Sequence, residues 1–307
     1  MFKHLTKITD LSKDEILQIF KDAKDLDYQY SNTGQNTSYF KNKSIAMVFE
    51  KPSLRTRVSF EVAATHLGGS AIYLTSSDIL ASGSNIKGRE SIPDIAKNLE
   101  NFTDIILARA FSHETIISLA ENSHIPVINA LCDLHHPTQT LADLYTIFDI
   151  FGGFPPDLKI AFVGDGCNTA NSLMLGCDIL NINFAIATPK GYEIPEKIFK
   201  LAKNNSCTVA HNPKDAVKNA DIIYTDTWVS MGLENEFQQR LEIFKPYQVN
   251  KKLLSYAKPD VKIMHCMPAH RGEEITSEVI DSSASVVFKQ SSAKLLIAKA
   301  ILKFFTN

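Results

Sequence analysis

The sequence predicts an α/β protein of two domains, each a mostly parallel sheet flanked by helices, the second Rossmann-like. Three observations carry this expectation. Short apolar runs alternate with stretches of helical spacing along the chain, the pattern of repeated βαβ units. The length, 307 residues, allows two cores of ordinary size. Gly152-Gly153-Phe154-Pro155-Pro156 breaks the pattern near mid-chain with turn-forming residues. The expected domains are therefore 1–150 and 151–289.

Composition narrows the function classes. Hydrophobic residues make up 44%, which places the chain among globular rather than disordered proteins. A net charge of −2 argues against general nucleic-acid binding. No apolar run is long enough to span a bilayer, and Met1 to Thr6 is too polar for a secretory leader. Five scattered cysteines without a C-x-x-C pair fit reduced thiols in a cytoplasm and give no zinc signature.

Taken in order, 11–30 reads as a helix capped by Asp10 or Ser12, with Leu11, Ile16, Leu17, Phe20 and Leu26 on its apolar face. A polar loop fills 31–43. Ile45 to Phe49 is a buried strand. Ser53 then caps a helix that runs to Gly68-Gly69. A short strand, Ala71 to Leu74, precedes a long polar loop at 75–91, a length that in compact domains is functional or disordered. A helix near 91–101, a strand from Asp104 to Ala108, a helix at 113–122 and a strand at 126–130 follow. Pro137 opens a long helix through Phe148. The second half offers strands at 159–164, 183–188, 207–210, 221–225, 261–265 and 285–288. The last helix, 290–305, is expected to pack back on the first domain, so that domain would also own 290–307.

The stretch that organises the chain is Ser53-Leu54-Arg55-Thr56-Arg57. It puts cations at the positive end of a helix, a local conflict that an anion on the first turn would resolve. A solvated helix start with two surface arginines explains the same residues. Arg109 ends a strand, where ligands bind in open α/β sheets, although an ordinary surface arginine fits there too. His136 and Gln139 sit at another helix start after a strand, as ligand contacts or as caps. Val163-Gly164-Asp165-Gly166 begins like a dinucleotide fingerprint, but Thr169 stands where the third glycine belongs. The next strand ends in Ala187-Thr188-Pro189, with no acid for a ribose. A Rossmann-like sheet without a nucleotide is the reading that results. Asp226 to Gly232 holds the only Trp of the chain at a strand end, as a pocket lining or a capped turn. His265-Cys266-Met267-Pro268-Ala269-His270 invites a zinc reading, yet no second Cys/His cluster completes one. A Cys–His nucleophile is disfavoured because neighbours on an extended backbone face opposite ways; an inert buried Cys266 is the plainer alternative.

In their order and spacing these stretches resemble the carbamoyltransferases, and the ornithine-type members above all. The resemblance rests on Ser53-Leu54-Arg55-Thr56-Arg57, Arg109, His136-Pro137-Thr138-Gln139, Gly164-Asp165-Gly166 with Asn171-Ser172-Leu173-Met174, Asp226 with Ser230-Met231-Gly232, and His265-Cys266-Met267-Pro268. It covers the whole chain. It implies that Ser53, Leu54, Arg55, Thr56, Arg109, His136 and Gln139 hold carbamoyl phosphate, with Asn85 reaching from a neighbouring subunit and Lys294 on the last helix. It implies that Asn171, Asp226, Ser230, Met231, Cys266 and Met267 hold L-ornithine. The departures from the family pattern are Leu54 for Thr, Asn85 for Gln, Met267 for Leu and Lys294 for Arg. The last matters most, because Lys makes no bidentate contact.

The implied reaction moves a carbamoyl group from carbamoyl phosphate to the side-chain amine of ornithine, giving citrulline and phosphate for arginine metabolism. Arg55, Arg109 and His136 would polarise the carbonyl and take up phosphate charge, and Asp226 and Cys266 would orient or deprotonate the amine. No metal or organic cofactor is expected, and the implied assembly is a homotrimer or a multiple of trimers. Three alternatives stand beside this: a carbamoyltransferase for another amine, a non-catalytic binding paralogue, and an NAD-dependent dehydrogenase.

Overall fold

The structure, a computed structural model, describes residues 3–75, 90–204, 207–229 and 234–306. The chain divides into two compact units, Met1–Tyr145 with Ser292–Asn307, and Thr146–Ser291. Among the described residues the first unit has a four-stranded sheet and the second a five-stranded one, with every strand pair parallel. The expected fold class is thus the observed one.

In the first unit, α1 (Lys13–Thr33) is capped by Ser12, whose side chain accepts the Glu15 amide while Glu15 reaches back to the Ser12 amide. Such a reciprocal cap is worth about 1 kcal/mol. The strands are β1 (Ser44–Phe49), β2 (Ser70–Thr75), β3 (Ile105–Arg109) and β4 (Val127–Leu131), in spatial order β2-β1-β3-β4. β1 and β3 are buried almost throughout, as central parallel strands must be, while β2 is a half-exposed edge. Between them run α2 (Leu54–His66), α3 (Ile92–Glu100) and α4 (His113–Glu121). Leu5 adds a parallel bridge beside β4, a pairing the sequence pattern did not announce. α5 (Pro137–Phe151) begins in this unit.

The second unit orders its strands β7-β6-β5-β8-β9, from β5 (Lys159–Val163), β6 (Asn183–Ala187), β7 (Cys207–Ala210), β8 (Ile222–Thr225) and β9 (Lys262–His265). The helices are α6 (Asn168–Leu180), α7 (Glu196–Phe199), α8 (Pro213–Val217), α9 (Phe237–Phe244), α10 (Lys251–Leu254) and α11 (Ser277–Ile280). The strand order reverses between β5 and β8, which creates a switch point at their carboxyl ends.

One strand assignment fails. Residues 285–288 form no strand; Ser285 makes a single parallel bridge to Ile263, and α12 (Val287–Thr306) starts immediately after. Val286 and Val287 read as strand formers, but Gln290 donates its amide to the Val286 carbonyl and pulls them into the helix start. Within the first unit, the far end of α12 is tied to α1 by Lys303 on Asp22 at 2.7 Å.

Candidate active site

In the first unit three strand ends of one sheet carry the candidate residues. β1 leads through Glu50–Ser53 into α2, β3 ends on Arg109, and β4 leads through Cys132–His136 into α5. Because the strands are parallel, all three connections emerge at the same edge. Ser53 is the N-cap of α2: its Oγ accepts the Thr56 amide at 3.3 Å, which leaves its own proton to donate outward. Thr56 is buried, Arg55 half-buried, and the Leu54 side chain points to solvent at 75% exposure. Leu54 therefore offers a ligand no more than its backbone.

The two arginines of this helix separate. Arg57 donates to Glu61 at 2.9 Å and stacks on the Tyr73 ring at 3.8 Å, a surface arrangement that accounts for it fully. Arg55 instead belongs to a group of cations around His136. The buried His136 imidazole is held well below its ordinary pKa of 6.5, first by burial and then by Lys294, Arg109 and Arg55. At neutral pH it is an uncharged ring, with Nδ1 3.4 Å from the Thr138 hydroxyl. Lys51 is also pushed down, by burial and then by Arg109. Lys294 donates from α12 to Gln139 Oε1, and Gln139 Nε2 donates to the buried Asp143 at 2.7 Å. Thr56, Ser59, Thr138 and Lys294 line a small cavity in this unit. The result is a locus of positive potential at a helix N-terminus, with hydroxyls and a neutral imidazole: the chemistry of an anion site.

In the second unit the candidates gather at the switch point. Thr225 Oγ1 donates to the Val163 carbonyl at 2.7 Å and fastens β8 to β5. Asp226 follows, and three donors converge on its carboxylate. Cys266 Sγ donates to Oδ1 at 2.9 Å, the Thr227 amide donates to Oδ1 at 2.8 Å, and Cys167 Sγ lies 3.8 Å from Oδ2. Burial and the Asp226 and Asp165 carboxylates push the Cys167 thiol well up, so it stays protonated and able to donate. Asn171 is buried in the first turn of α6. Met267 adopts a left-handed backbone with φ 58, and its amide donates to His265 Nδ1 at 2.9 Å. His265 Nε2 faces the buried Glu274 carboxylate at 3.0 Å. Asp226, His265 and Cys266 bring donor atoms within 4.8 Å of one another, but both nitrogens of His265 are thus already engaged.

The broken glycine fingerprint has a local explanation. A Cβ on Gly166 would lie 2.4 Å from the Glu193 carbonyl carbon, so glycine is required by the protein's own chain at 192–194. Asp165 turns to the buried Arg240 at 2.8 Å, which also holds the Trp228 carbonyl and Glu236.

The sequence reading missed Cys167, Asp143, Glu274 and Arg240. Asp143 is one helical turn beyond Gln139, and Cys167 directly follows the Gly-Asp-Gly turn; both offsets were readable. Glu274 and Arg240 lie far from their partners in sequence and left no such signal. Asn85, Ser230 and Met231 lie outside the described residues, as does most of the loop expected at 75–91.

Comparison with known proteins gives two family matches: the carbamoyl-P binding domain of aspartate/ornithine carbamoyltransferase over residues 3–149, and the Asp/Orn binding domain over 156–305. An ornithine carbamoyltransferase of Methanosarcina acetivorans is 47% identical over 304 residues, covering 98% of each chain. One from Bacillus subtilis is 44% identical over 307 residues, covering 98% of this chain and 93% of its own. The solved ornithine carbamoyltransferase of Pyrococcus furiosus superposes with a TM-score of 0.91 at 44% identity, covering 98% of this chain and 96% of its own. A relative from Pyrococcus furiosus carries the description anabolic.

Proposed function

We propose the residue roles below for a chain that belongs to the aspartate/ornithine carbamoyltransferase family. It is a transferase that moves the carbamoyl group of carbamoyl phosphate to the side-chain amine of L-ornithine, giving L-citrulline and phosphate, a step of arginine biosynthesis. The observation that carries the residue assignment is the contrast between a cation cluster with a neutral His136 and a carboxylate, Asp226, held by thiol and amide donors.

Carbamoyl phosphate takes the first cluster. Ser53, Thr56 and the positive end of α2 receive the phosphate, with Arg55 and Lys294 supplying charge. Arg109 and the uncharged His136 donate to the carbonyl oxygen as it gains negative charge, and Gln139 is steadied by Asp143. Ornithine takes the second. Asp226 receives an amino group, and Asn171, Ser230, Met231 and the backbone at Met267 receive the rest of the amino acid. The side-chain amine attacks as its neutral form; lysine-like amines are protonated near pH 7, so its proton must leave first. Asp226 and Cys266 orient that amine and favour its deprotonation. The amine nitrogen bonds to the carbonyl carbon and the C–O bond to phosphate breaks; phosphate leaves with that electron pair and takes up the proton that the nitrogen sheds on becoming the ureido nitrogen. Positioning and charge stabilisation supply the acceleration.

The proposed assembly is a homotrimer. Leu54 and Val58, one turn apart on α2, and Ile72 on the edge strand β2 expose apolar surface that a subunit contact would cover. A cytoplasmic location fits the five free cysteines. The test is a ureido-product assay with carbamoyl phosphate against ornithine, putrescine and aspartate, run beside a mass measurement in solution. Citrulline is the expected product; equal kcat/KM for ornithine and putrescine would overturn the amino-acid site, and a monomer the trimer.

A further inference from the structure

The turn after β9 carries a second group of donor atoms, apart from every residue assigned above to a substrate. One ring nitrogen of His270 and one carboxylate oxygen each of Glu273 and Glu274 lie within 4.8 Å of one another. His270 Nδ1 is 3.3 Å from Glu273 Oε2, and these two side chains are 43% and 30% exposed. The Glu274 side chain, by contrast, is fully buried. Its Oε1 accepts the His270 amide at 2.6 Å and faces His265 Nε2, while its Oε2 is buried without a hydrogen-bond partner.

A carboxylate with a buried, unmatched oxygen is costly, and buried charges are as a rule paired or bound to a metal. The local cation is already used: the Arg271 guanidinium forks onto Asp281, with Nη2 at 2.8 Å. The backbone that presents the three side chains is well fixed. Gly272 sits at φ 93, its amide bonds the Ile275 carbonyl, and Gln248 Nε2 donates to the carbonyls of Gly272 and Glu273 at 2.8 and 2.9 Å. The three side chains are thus presented from one short turn, those of His270 and Glu273 part-exposed and that of Glu274 buried, and Glu273 Oε2 is itself a buried atom without a hydrogen-bond partner.

We propose that His270, Glu273 and Glu274 form a binding site for a divalent transition-metal ion of the zinc class. One neutral imidazole and two carboxylates balance the charge of such an ion, and the exposed side leaves positions for water. A search of the sequence for zinc ligands among Cys and His alone misses this group, because two of its three donors are glutamates. Glu274 also joins the metal group to the substrate side of the turn, through His265 to the Met267 amide. The inference does not depend on the carbamoyl-transfer reading.

The test titrates the chelator-treated full chain with Zn2+ by calorimetry, and records the visible spectrum with Co2+. His270→Ala and Glu273→Gln remove the part-exposed ligands, and their melting temperatures report folding; Cys266→Ala removes the competing thiol. The expected result is one ion per chain, bound roughly tenfold or more weakly in either of the first two variants and equally well in Cys266→Ala. The Co2+ spectrum should lack a thiolate charge-transfer band. Absence of saturable binding, full binding in His270→Ala and Glu273→Gln, or loss of binding in Cys266→Ala would each overturn the site.

Discussion

The two units solve opposite electrostatic problems with one topology. Both present residues from the carboxyl ends of parallel strands. In the first, burial and then Lys294, Arg109 and Arg55 hold the His136 ring well below its ordinary pKa, so that it is uncharged at neutral pH. In the second, the central group is a carboxylate, and Cys266, Cys167 and the amide of Thr227 turn donors towards it. A sheet edge thus has no fixed polarity. The side chains of the loops decide whether it receives an anion or an amine, and each cluster should fail in its own way when altered.

The largest effect should come from Arg55→Ala. Losing a donor aimed at developing phosphate charge costs about 2.7–4 kcal/mol, a fall in kcat of about 10²–10³. Arg57→Ala is the control: its guanidinium is spent on Glu61 and Tyr73, so kcat should stay within about twofold. Comparable losses in both variants would remove the distinction drawn between the two arginines.

Next in size is Asp226→Asn. A hydrogen bond to a charged group is worth about 1.5–3 kcal/mol, so kcat/KM for ornithine should drop about 10- to 100-fold. Carbamoyl phosphate binding, measured directly by calorimetry, should not change. A parallel loss of both would mean that the clusters are not chemically independent.

The third prediction concerns pH. The folded chain keeps His136 neutral, whereas the unfolded chain protonates it below about 6.5. Below that value the unfolded state binds the extra proton, so stability falls as the solution becomes more acidic; above it this group contributes no slope. Urea midpoints at about pH 7.5 and about pH 5.5 should therefore separate more in the natural protein than in His136→Gln. Equal separations would show that His136 is not held neutral.

The sheets were legible because buried parallel strands are nearly continuous apolar runs, and β1 and β3 read directly as such. The strand at 285–288 was not, since Val286 and Val287 carry strand propensity into a segment whose hydrogen bonds are helical. The candidate site was legible where a residue sits at a helix start, as Ser53 and His136 do. It was hidden where two distant segments share one charge: nothing local joins Asp165 to Arg240, or Asp226 to Cys167. Arg55 and Arg57 are alike in sequence and were separated only by Tyr73 and Glu61, one of them on another element.

The smallest expected effect is at Lys294. Its ammonium is tethered through Gln139 to Asp143, and it comes first among the charges that lower His136. Lys294→Arg keeps the charge and adds a fork suited to phosphate oxygens, so carbamoyl phosphate should bind tighter by less than about tenfold. Lys294→Met removes the charge without shortening the side chain much. His136 should then titrate at higher pH, although Arg109, Arg55 and burial still hold it below its ordinary value, and NMR of the imidazole measures this directly. Weaker binding in Lys294→Arg would mean that the Gln139–Asp143 relay accepts only an ammonium. An unmoved His136 in Lys294→Met would mean that burial and the two arginines set its state, and that Lys294 acts on the ligand alone.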